Sequence, residues 1–375
     1  MVLPFLSKYL KEDLHFSYSE VGWIMVCFGT GSILGSWLGG KLSDKIGFYR
    51  IMIFSLLVSG LLFFVIQFIT SFVGLCISMF LIMVVADMYR PAMFVSLGAY
   101  TKPENRTRAL TLVRLAINLG FAAGPALGGL IIMSIGYGGL FWVDGATCII
   151  AILIFWVLVK EKKKSKFIDK KDPDNVLTHS VFKDKPFWVF LFTCLVSGVL
   201  FFQVFTTIPL YHKEQFNLTE FQTGLLLTMN GLMIFFLEMP IVSYVERHKI
   251  SKVKVVTTGS LLMAVSLFLM LVNIWAGILI IMMLFMTFGE MFAFPFSNSV
   301  ALSRAPKGHE GRYMAIYTMS YSLAHILSAK MGMEIIQYFG YQMNWLFMGI
   351  LGLLGMFSGI WVYRLVQKEN KNIIS

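Results

Sequence analysis

Ionisable side chains occur inside long stretches of this sequence that are otherwise apolar. Asp87 and Arg90 lie three residues apart in one such stretch, and Glu290 lies in another. A charge at the centre of a bilayer is costly, so a carboxylate there usually has a function. Reversible protonation is the chemistry that such a carboxylate offers. A proton and a second ligand can then compete for one site, which would exchange the two across a membrane.

The same reasoning gives a short list of further residues. The candidates for proton or substrate binding are Asp87, Arg90, Arg114, Glu238, Glu290 and His325. A structural alternative stays open for each of them. Asp87 can pair with Arg90 or Arg114 only to fix helix packing, and one polar residue on an apolar helix often just satisfies a hydrogen bond.

Asp144 and the pair Lys330–Glu334 are weaker candidates. They lie near the ends of apolar stretches, from which long side chains reach water.

The composition indicates that these residues lie in membrane helices. Of the 375 residues, 57% are apolar and only 14% are charged, which leaves too little charged surface for a soluble protein. The apolar stretches are about 20 residues long and do not alternate with period two, which favours helices over a barrel. We predict eleven spans, at 18–39, 51–70, 72–97, 109–134, 139–159, 187–209, 220–243, 254–272, 275–301, 313–336 and 343–364.

Other classes of protein fit the sequence poorly. It contains no G-x-S-x-G or H-E-x-x-H motif, so we expect no enzyme. Its four cysteines lie in apolar stretches without a C-x-x-C spacing, and we expect no metal site, disulfide framework or cofactor. No loop resembles a selectivity filter, which argues against a channel.

The positive charges report topology. The net charge is +11, and most of the 31 lysines and arginines fall in alternate gaps between the predicted spans. This asymmetry follows the positive-inside rule and places the 160–186 loop and the C-terminus in the cytoplasm. We therefore expect a multi-pass protein of a cell membrane, with the bacterial inner membrane favoured, and no nucleic-acid partner.

The two hydrophobic halves of the chain are weak repeats of each other. Gly22 corresponds to Gly224 at an offset of 202 residues, and "DMYRP" at 87–91 resembles "EMFAFP" at 290–295. We predict an N-terminal bundle at 1–159, a linker at 160–186, a C-terminal bundle at 187–366 and a tail at 367–375. Parallel repeats of this kind occur in secondary transporters, with the substrate site between the halves.

The repeat also aligns "VLPFLSK" at 2–8 with "TIPLYHK" at 207–213. A whole span precedes the second segment, whereas three residues precede Pro4. We therefore expect residues 1–10 to be the outer end of a first helix of which about 20 residues are missing.

The sequence "GGKLSDKIGFYR" at 39–50 joins the first two full spans. Gly40 and Gly47 permit a tight turn. Asp44 can accept hydrogen bonds from basic groups or from the start of the next helix. We call this loop sequence the conformational motif, because we expect it to act in the change of conformation. Its residues are Gly40, Asp44, Lys45, Gly47 and Arg50.

The sequence "GFAAGPALGG" at 120–129 lies within a span. Gly120, Gly124 and Gly128 form a stripe of small residues that lets a neighbouring helix approach closely, and Gly129 follows it. Pro125 frees a backbone carbonyl and bends the helix.

These two motifs resemble those of the major facilitator superfamily of transporters. "GGKLSDKIGFYR" resembles the signature between helices 2 and 3, and "GFAAGPALGG" resembles the helix 5 motif of drug:proton antiporters. The resemblance covers the whole chain. It implies an all-α fold of two six-helix bundles, in which the predicted spans are helices 2–12 and the N-terminal residues are the end of helix 1.

The resemblance has two departures. Family members often carry an arginine early in helix 4, where this sequence has Met79. The segment "GFYR" also keeps only Arg50 of the usual basic pair.

We predict a secondary transporter that works by alternating access and exports small apolar or amphiphilic compounds in exchange for protons. The proton gradient would supply the energy, and the partners would be the bilayer, protons and a small-molecule substrate. We expect a monomer. Proton-coupled uptake of a sugar, organic acid or peptide, or a truncated and inactive transporter, are the alternatives.

Overall fold

The computed structural model describes residues 2–101, 106–161, 181–272, 274–305 and 310–374. Within these ranges the chain is helical and has no β-strand, as predicted. The helices form two compact units. Unit 1 contains Met1–Asp169 and Asn217–Thr228, and unit 2 contains Lys170–Phe216 and Met229–Ser375. The boundaries of the bundles, linker and tail given above stay predictions.

Unit 1 contains the first six helices and the start of a later one. These helices are α1 (Leu3–Lys8), α2 (Tyr18–Lys45), α3 (Phe48–Ile66), α4 (Phe72–Ala86), α5 (Tyr89–Tyr100) and α6 (Arg106–Leu158). A π-helical turn follows α1. A capping box begins α2, because the Ser17 hydroxyl accepts the Glu20 amide while the Glu20 carboxylate accepts the Ser17 amide. One buried cluster of this unit lies mainly between α3 and α5 and contains Phe48, Met52 and Ala92.

Unit 2 contains most of the remaining helices. They are α7 (Lys185–Phe202), α8 (Ile208–Phe216), α9 (Glu220–Arg247), α10 (Lys252–Leu269), α11 (Ile278–Arg304) and α12 (Glu310–Ile374). The first residues of α9 belong to unit 1. A 3₁₀ turn, Gln203–Phe205, separates α7 from α8. The core at one end of this unit contains Phe187, Phe190, Cys194 and Phe296.

The number of predicted spans is reproduced in the described residues. Nine helical segments are long and apolar enough to cross a bilayer, and two of these, Ala116–Leu158 and Tyr313–Glu369, are far longer than one crossing requires. Each is broken at a glycine with a positive φ, Gly136 at 76° and Gly340 at 79°. Dividing these two segments gives eleven spans, and both breaks fall in gaps predicted from the sequence.

The turn between α2 and α3 is made by one glycine. Gly47 has φ 100°, a conformation that side chains rarely adopt. Gly40 lies inside α2 and does not contribute to the turn, which corrects the expectation that both glycines would. The helix α2 continues to Lys45, and the chain reverses direction just after it, where Gly47 permits a positive φ.

Glycines on α2 let its backbone directly approach α4 and the turn that follows α4. A Cβ atom added at Gly39 would lie 2.6 Å from the Cα atom of Met88, and one added at Gly31 would lie 3.2 Å from the Cβ atom of Met83. Small residues at four-residue spacing make this kind of close helix packing possible in a membrane. Gly35 continues the stripe between them and faces Val84.

A buried polar cluster lies at the 3₁₀ turn between α7 and α8. The Gln203 side chain is fully buried, and its Nε2 atom donates to the backbone oxygen and the hydroxyl of Ser328, both at 2.9 Å. Its Oε1 atom accepts from the hydroxyl of Thr207. Gly332 lets α12 approach this side chain closely. In a bilayer such internal partners replace water, so the helix break is tolerated.

Neighbouring glycines on α2 provide a test of the close packing. Gly39→Ala should destabilise the protein by about 1–3 kcal/mol, because its methyl group would collide with the Met88 backbone. Gly40→Ala is the control, since a Cβ atom there meets nothing within 4 Å. The thermal midpoint of the purified protein in detergent measures both effects. Equal midpoints for the two variants would contradict the packing described.

Candidate functional site

Glu290 is held in the middle of α11 by an amide from α9. The Nδ2 atom of Asn230 donates to Glu290 Oε2 at 3.0 Å and to Thr287 Oγ1 at 2.9 Å. Thr287 is fully buried and donates in turn to the Met283 backbone oxygen at 2.6 Å. Asn230 therefore uses both amide protons to connect the two helices, and it stabilises the carboxylate without neutralising it.

A second carboxylate lies near Glu290. Glu238 is two turns further along α9 than Asn230, is largely buried, and interacts electrostatically with Glu290. Among the described residues, no lysine or arginine forms an ion pair with Glu290. Two nearby carboxylates carry negative charge together only at an electrostatic cost. The arrangement therefore favours binding of a proton or another cation.

Prolines follow both carboxylates along their helices. Pro240 lies two residues after Glu238, and Pro295 lies five residues after Glu290. Each proline lacks an amide proton, so the carbonyl four residues earlier loses its helical partner. The carbonyls concerned are those of Phe236 and Met291.

Aromatic residues from three helices of unit 2 form a cluster on the same side of α11. Phe294 lies one turn after Glu290 and so shares its helix face. The Phe294 ring lies edge-on to Phe201 of α7 at 4.9 Å and to Tyr321 of α12 at 5.3 Å. Ser297 connects the hydroxyl groups of Tyr317 and Tyr321 at 2.8 and 3.1 Å. We call Phe201, Phe294, Tyr317 and Tyr321 the aromatic cluster.

Asp87 occupies a corresponding position in unit 1. It caps the end of α4, accepts a hydrogen bond from the Ser32 hydroxyl of α2, and lies 4.0 Å from the Arg90 guanidinium. Pro91 removes the helical partner of the Asp87 carbonyl, which explains why the span is interrupted between α4 and α5. The Arg90 side chain is 69% exposed and that of Asp87 is 13% exposed. Because Arg90 is so exposed, its ion pair with Asp87 is weak.

The other ionisable candidates lie in separate surroundings. His325 is largely buried, with its ring edge-on to that of Phe202 at 4.7 Å. Lys330 and Glu334 form an ion pair along one face of α12. The Asp144 carboxylate accepts the backbone amide of Val2 at 2.8 Å. The side chains of Arg114 and Asp44 lie outside the part of the chain that the structure describes.

The motif at 120–129, which resembles the helix 5 motif of the family and lies in α6 here, makes its closest contact at one end. A Cβ atom added at Gly129 would lie 2.6 Å from the Glu220 carbonyl oxygen and 2.7 Å from the Phe221 Cα atom, so the start of α9 lies directly on this glycine. Gly224 of α9 faces the Pro125 backbone in the same way. Gly120 has no neighbour within 4 Å, so the close contact lies at the Gly129 end of the predicted stripe.

Two ion-pair networks were not predicted from the sequence. Lys8 is completely buried, and its Nζ atom lies 2.8 Å from Glu220 Oε1, so it joins α1 to the start of α9. In unit 2, the Arg304 guanidinium binds Asp184 and Glu369, each at 2.7 Å. Asp184 also caps α7 by accepting the Phe187 amide. The only sequence signal for Lys8 was its alignment with Lys213, which does not indicate a partner.

In the conformational motif, the Arg50 side chain lies 3.6 Å from Glu161, and both groups are largely exposed. Lys45 is also exposed. Exposed pairs of this kind contribute little to stability.

These features together are typical of one class of protein. Secondary transporters commonly have eleven or twelve apolar helical spans, a weak parallel repeat, and a carboxylate within a span such as Glu290, which pairs with no lysine or arginine of the described residues. The chain matches the Major Facilitator Superfamily over residues 1–329 and belongs to that family.

Individual relatives are distant. A Na(+), Li(+), K(+)/H(+) antiporter of Planococcus maritimus is 21% identical over 400 residues, which cover 98% of this chain and 93% of the relative. The quinolone resistance protein NorA of Staphylococcus aureus is 26% identical over 237 residues, which cover 62% of this chain and 59% of NorA. The crystal structure of an auto-inhibited POT family peptide transporter superposes with a TM-score of 0.79 at 15% identity, over 98% of this chain and 93% of that one.

The chain is therefore a multi-pass membrane protein and a secondary transporter, and it is not an enzyme. Its family implies a small-molecule substrate. The likeness to the peptide transporter concerns the fold alone.

Removing either partner of the buried ion pair between Lys8 and Glu220 should destabilise the protein, but by different amounts. Glu220→Leu should be the more destabilising change, by about 3–5 kcal/mol, because it leaves a fully buried ammonium without its carboxylate. Lys8→Met should cost less, since Glu220 keeps some exposure. The double variant Lys8→Met/Glu220→Leu should recover most of the loss. Thermal midpoints in detergent measure all three, and additive losses in the double variant would rule out a coupled pair.

Proposed function

We propose that this protein exports small amphiphilic or cationic compounds in exchange for protons, and that Glu290 carries the proton. The single observation that supports this most strongly is the position of Glu290, which lies within a membrane span with an amide donor and a neighbouring carboxylate but no basic partner among the described residues. A charged carboxylate within a membrane span is costly, and such residues commonly mark proton relays and substrate pathways.

The aromatic cluster supports the choice of substrate. Flat apolar compounds stack on or lie edge-on to aromatic rings, and a cation above such a ring gains about 0.5–2 kcal/mol. Because Phe294 shares a helix face with Glu290, one amphiphilic cation can contact the ring and the carboxylate together. The proton and the substrate then exclude each other electrostatically, which couples their movements. NorA is a quinolone resistance protein, and its similarity to this chain is consistent with a drug-like substrate.

Exchange of monovalent cations for protons is a second candidate. The Planococcus maritimus relative is an antiporter of Na(+), Li(+) and K(+) for H(+), and it aligns with nearly the whole chain. Carboxylate, hydroxyl and carbonyl oxygens are the ligands that hard cations prefer, and Glu290, Glu238 and Thr287 provide such oxygens.

We further propose that the 160–186 linker and the C-terminus face the cytoplasm of a bacterial cell and that the protein acts as a monomer. The distribution of lysine and arginine supports the orientation.

Proton coupling can be measured in inverted membrane vesicles that contain a pH-sensitive dye. Addition of a transported compound should release protons from acidified vesicles containing the unaltered protein. Glu290→Gln should reduce this response by at least tenfold, since glutamine keeps the shape but cannot exchange a proton. Glu214→Gln is the control, because Glu214 is exposed at the end of α8 and should leave the response unchanged.

The choice of added compound separates the two candidates. A response to amphiphilic cations supports drug export, whereas a response to NaCl or LiCl alone supports cation exchange. Wild-type coupling in Glu290→Gln would contradict the assignment of Glu290. No response to any compound, together with unchanged drug susceptibility of an efflux-deficient host, would contradict export itself.

The aromatic cluster gives an independent prediction about affinity. Phe294→Leu should weaken binding of a flat amphiphilic cation about 5- to 10-fold, because leucine removes the ring but keeps an apolar side chain. Phe357→Leu is a matched control on α12, since Phe357 is exposed and makes no ring contact in the described part of the chain. Binding is measured by equilibrium titration of the purified protein. Equal losses in both variants would exclude a specific role for the cluster.

A further inference from the structure

An open groove of about 500 Å³ lies between α9 and α10 in unit 2. Ile241, Tyr244 and Val245 line it from α9, and Lys254 and Thr258 line it from α10. Phe292 of α11 also lines it. Tyr244 and Thr258 are exposed, so the groove is open to the surroundings of the protein. We call it the α9–α10 groove.

The internal repeat places different residues at corresponding positions of the two units. In unit 1, Gly31, Gly35 and Gly39 bring the α2 backbone against α4 and the turn that follows it. The corresponding residues of α9, at the offset of 202, are Met233, Leu237 and Ile241. Of these three, Ile241 lines the groove.

One end of the groove is strongly basic. Arg247 and Lys249 lie where α9 ends, and Lys252 and Lys254 lie where α10 begins, whereas Glu246 is the single acidic residue of this segment. In the described part of the chain, no ion pair is made by Arg247, Lys249 or Lys254. The Lys254 ammonium lies above the Tyr363 ring at 4.7 Å, which holds it close to the groove. Clusters of four or more basic residues at the end of a membrane helix attract anionic lipids.

We propose that the α9–α10 groove binds one anionic phospholipid. An acyl chain lies along Ile241, Val245 and Phe292, and the phosphate lies among Lys249, Lys254 and Arg247. Charge complementarity selects the anionic headgroup, and the apolar walls select the chain. Tyr244 lies at the boundary between them, where tyrosine is commonly found in membrane proteins. The orientation proposed above places this site in the cytoplasmic leaflet, but binding itself does not depend on the transport assignment.

The experiment counts lipids bound to the intact purified protein by mass spectrometry of the detergent-solubilised complex. Phosphatidylglycerol is titrated against phosphatidylcholine with the same acyl chains. We expect one phosphatidylglycerol to be retained at least tenfold more tightly than phosphatidylcholine. Lys249→Gln/Lys254→Gln should weaken this binding roughly 10- to 30-fold, since each basic residue near an anionic lipid contributes about 1 kcal/mol. Lys160→Gln/Lys183→Gln is the control, because it removes the same charge from other exposed sites.

A second pair of variants tests the groove separately from the charges. Thr258→Trp should fill the groove and weaken binding of long-chain phosphatidylglycerol, while binding of the dihexanoyl form should stay unchanged. Thr318→Trp is its control, since Thr318 is likewise exposed and bonded to the preceding helical turn. Equal retention of the two lipids, or equal losses in the charge variant and its control, would overturn the proposal. So would dissociation of a dimer by Thr258→Trp without any change in lipid binding, which would make the groove a contact between two copies.

Discussion

The energetic cost of holding Glu290 inside a membrane span is the constraint on which the proposed site depends. The carboxylate is only partly exposed, and no basic side chain of the described residues forms an ion pair with it. Asn230 supplies one donor, and Thr287 fixes that amide by accepting its second proton. In the proposed mechanism, the remaining stabilisation comes from a proton or a bound cation.

The two units meet the requirements of helix packing in different ways. In unit 1, glycines on α2 allow direct backbone contact, and Asp87 lies at a helix break with Ser32 and an exposed Arg90. In unit 2, Met233, Leu237 and Ile241 stand on α9 in place of these glycines, and Glu290 lies inside α11 rather than at a helix end. The repeat has therefore diverged, with the stronger candidate for ligand binding in unit 2.

Sequence patterns predicted the fold better than the site. Hydropathy located the eleven spans and the gaps between them. The helix breaks at Gly136 and Gly340 fall in two of these gaps, and glycine readily adopts the positive φ that each break requires. The spacing of Asp87 and Arg90 and of Lys330 and Glu334 along a helix was sufficient to predict that each pair could meet. Contacts between distant helices were not predictable. Asn230 is one polar residue among many, and no local sequence pattern connects it to Glu290. Likewise, no local pattern connects Lys8 to Glu220.

Proton release on substrate binding tests the role of Glu290 most directly. The purified protein is mixed with an amphiphilic cation in weakly buffered detergent solution, and the change in pH is recorded at equilibrium. If Glu290 exchanges a proton for the substrate, binding should release about one proton per protein molecule, and Glu290→Gln should abolish the release. Substrate binding without proton release, or the same release from Glu290→Gln, would contradict the proposal.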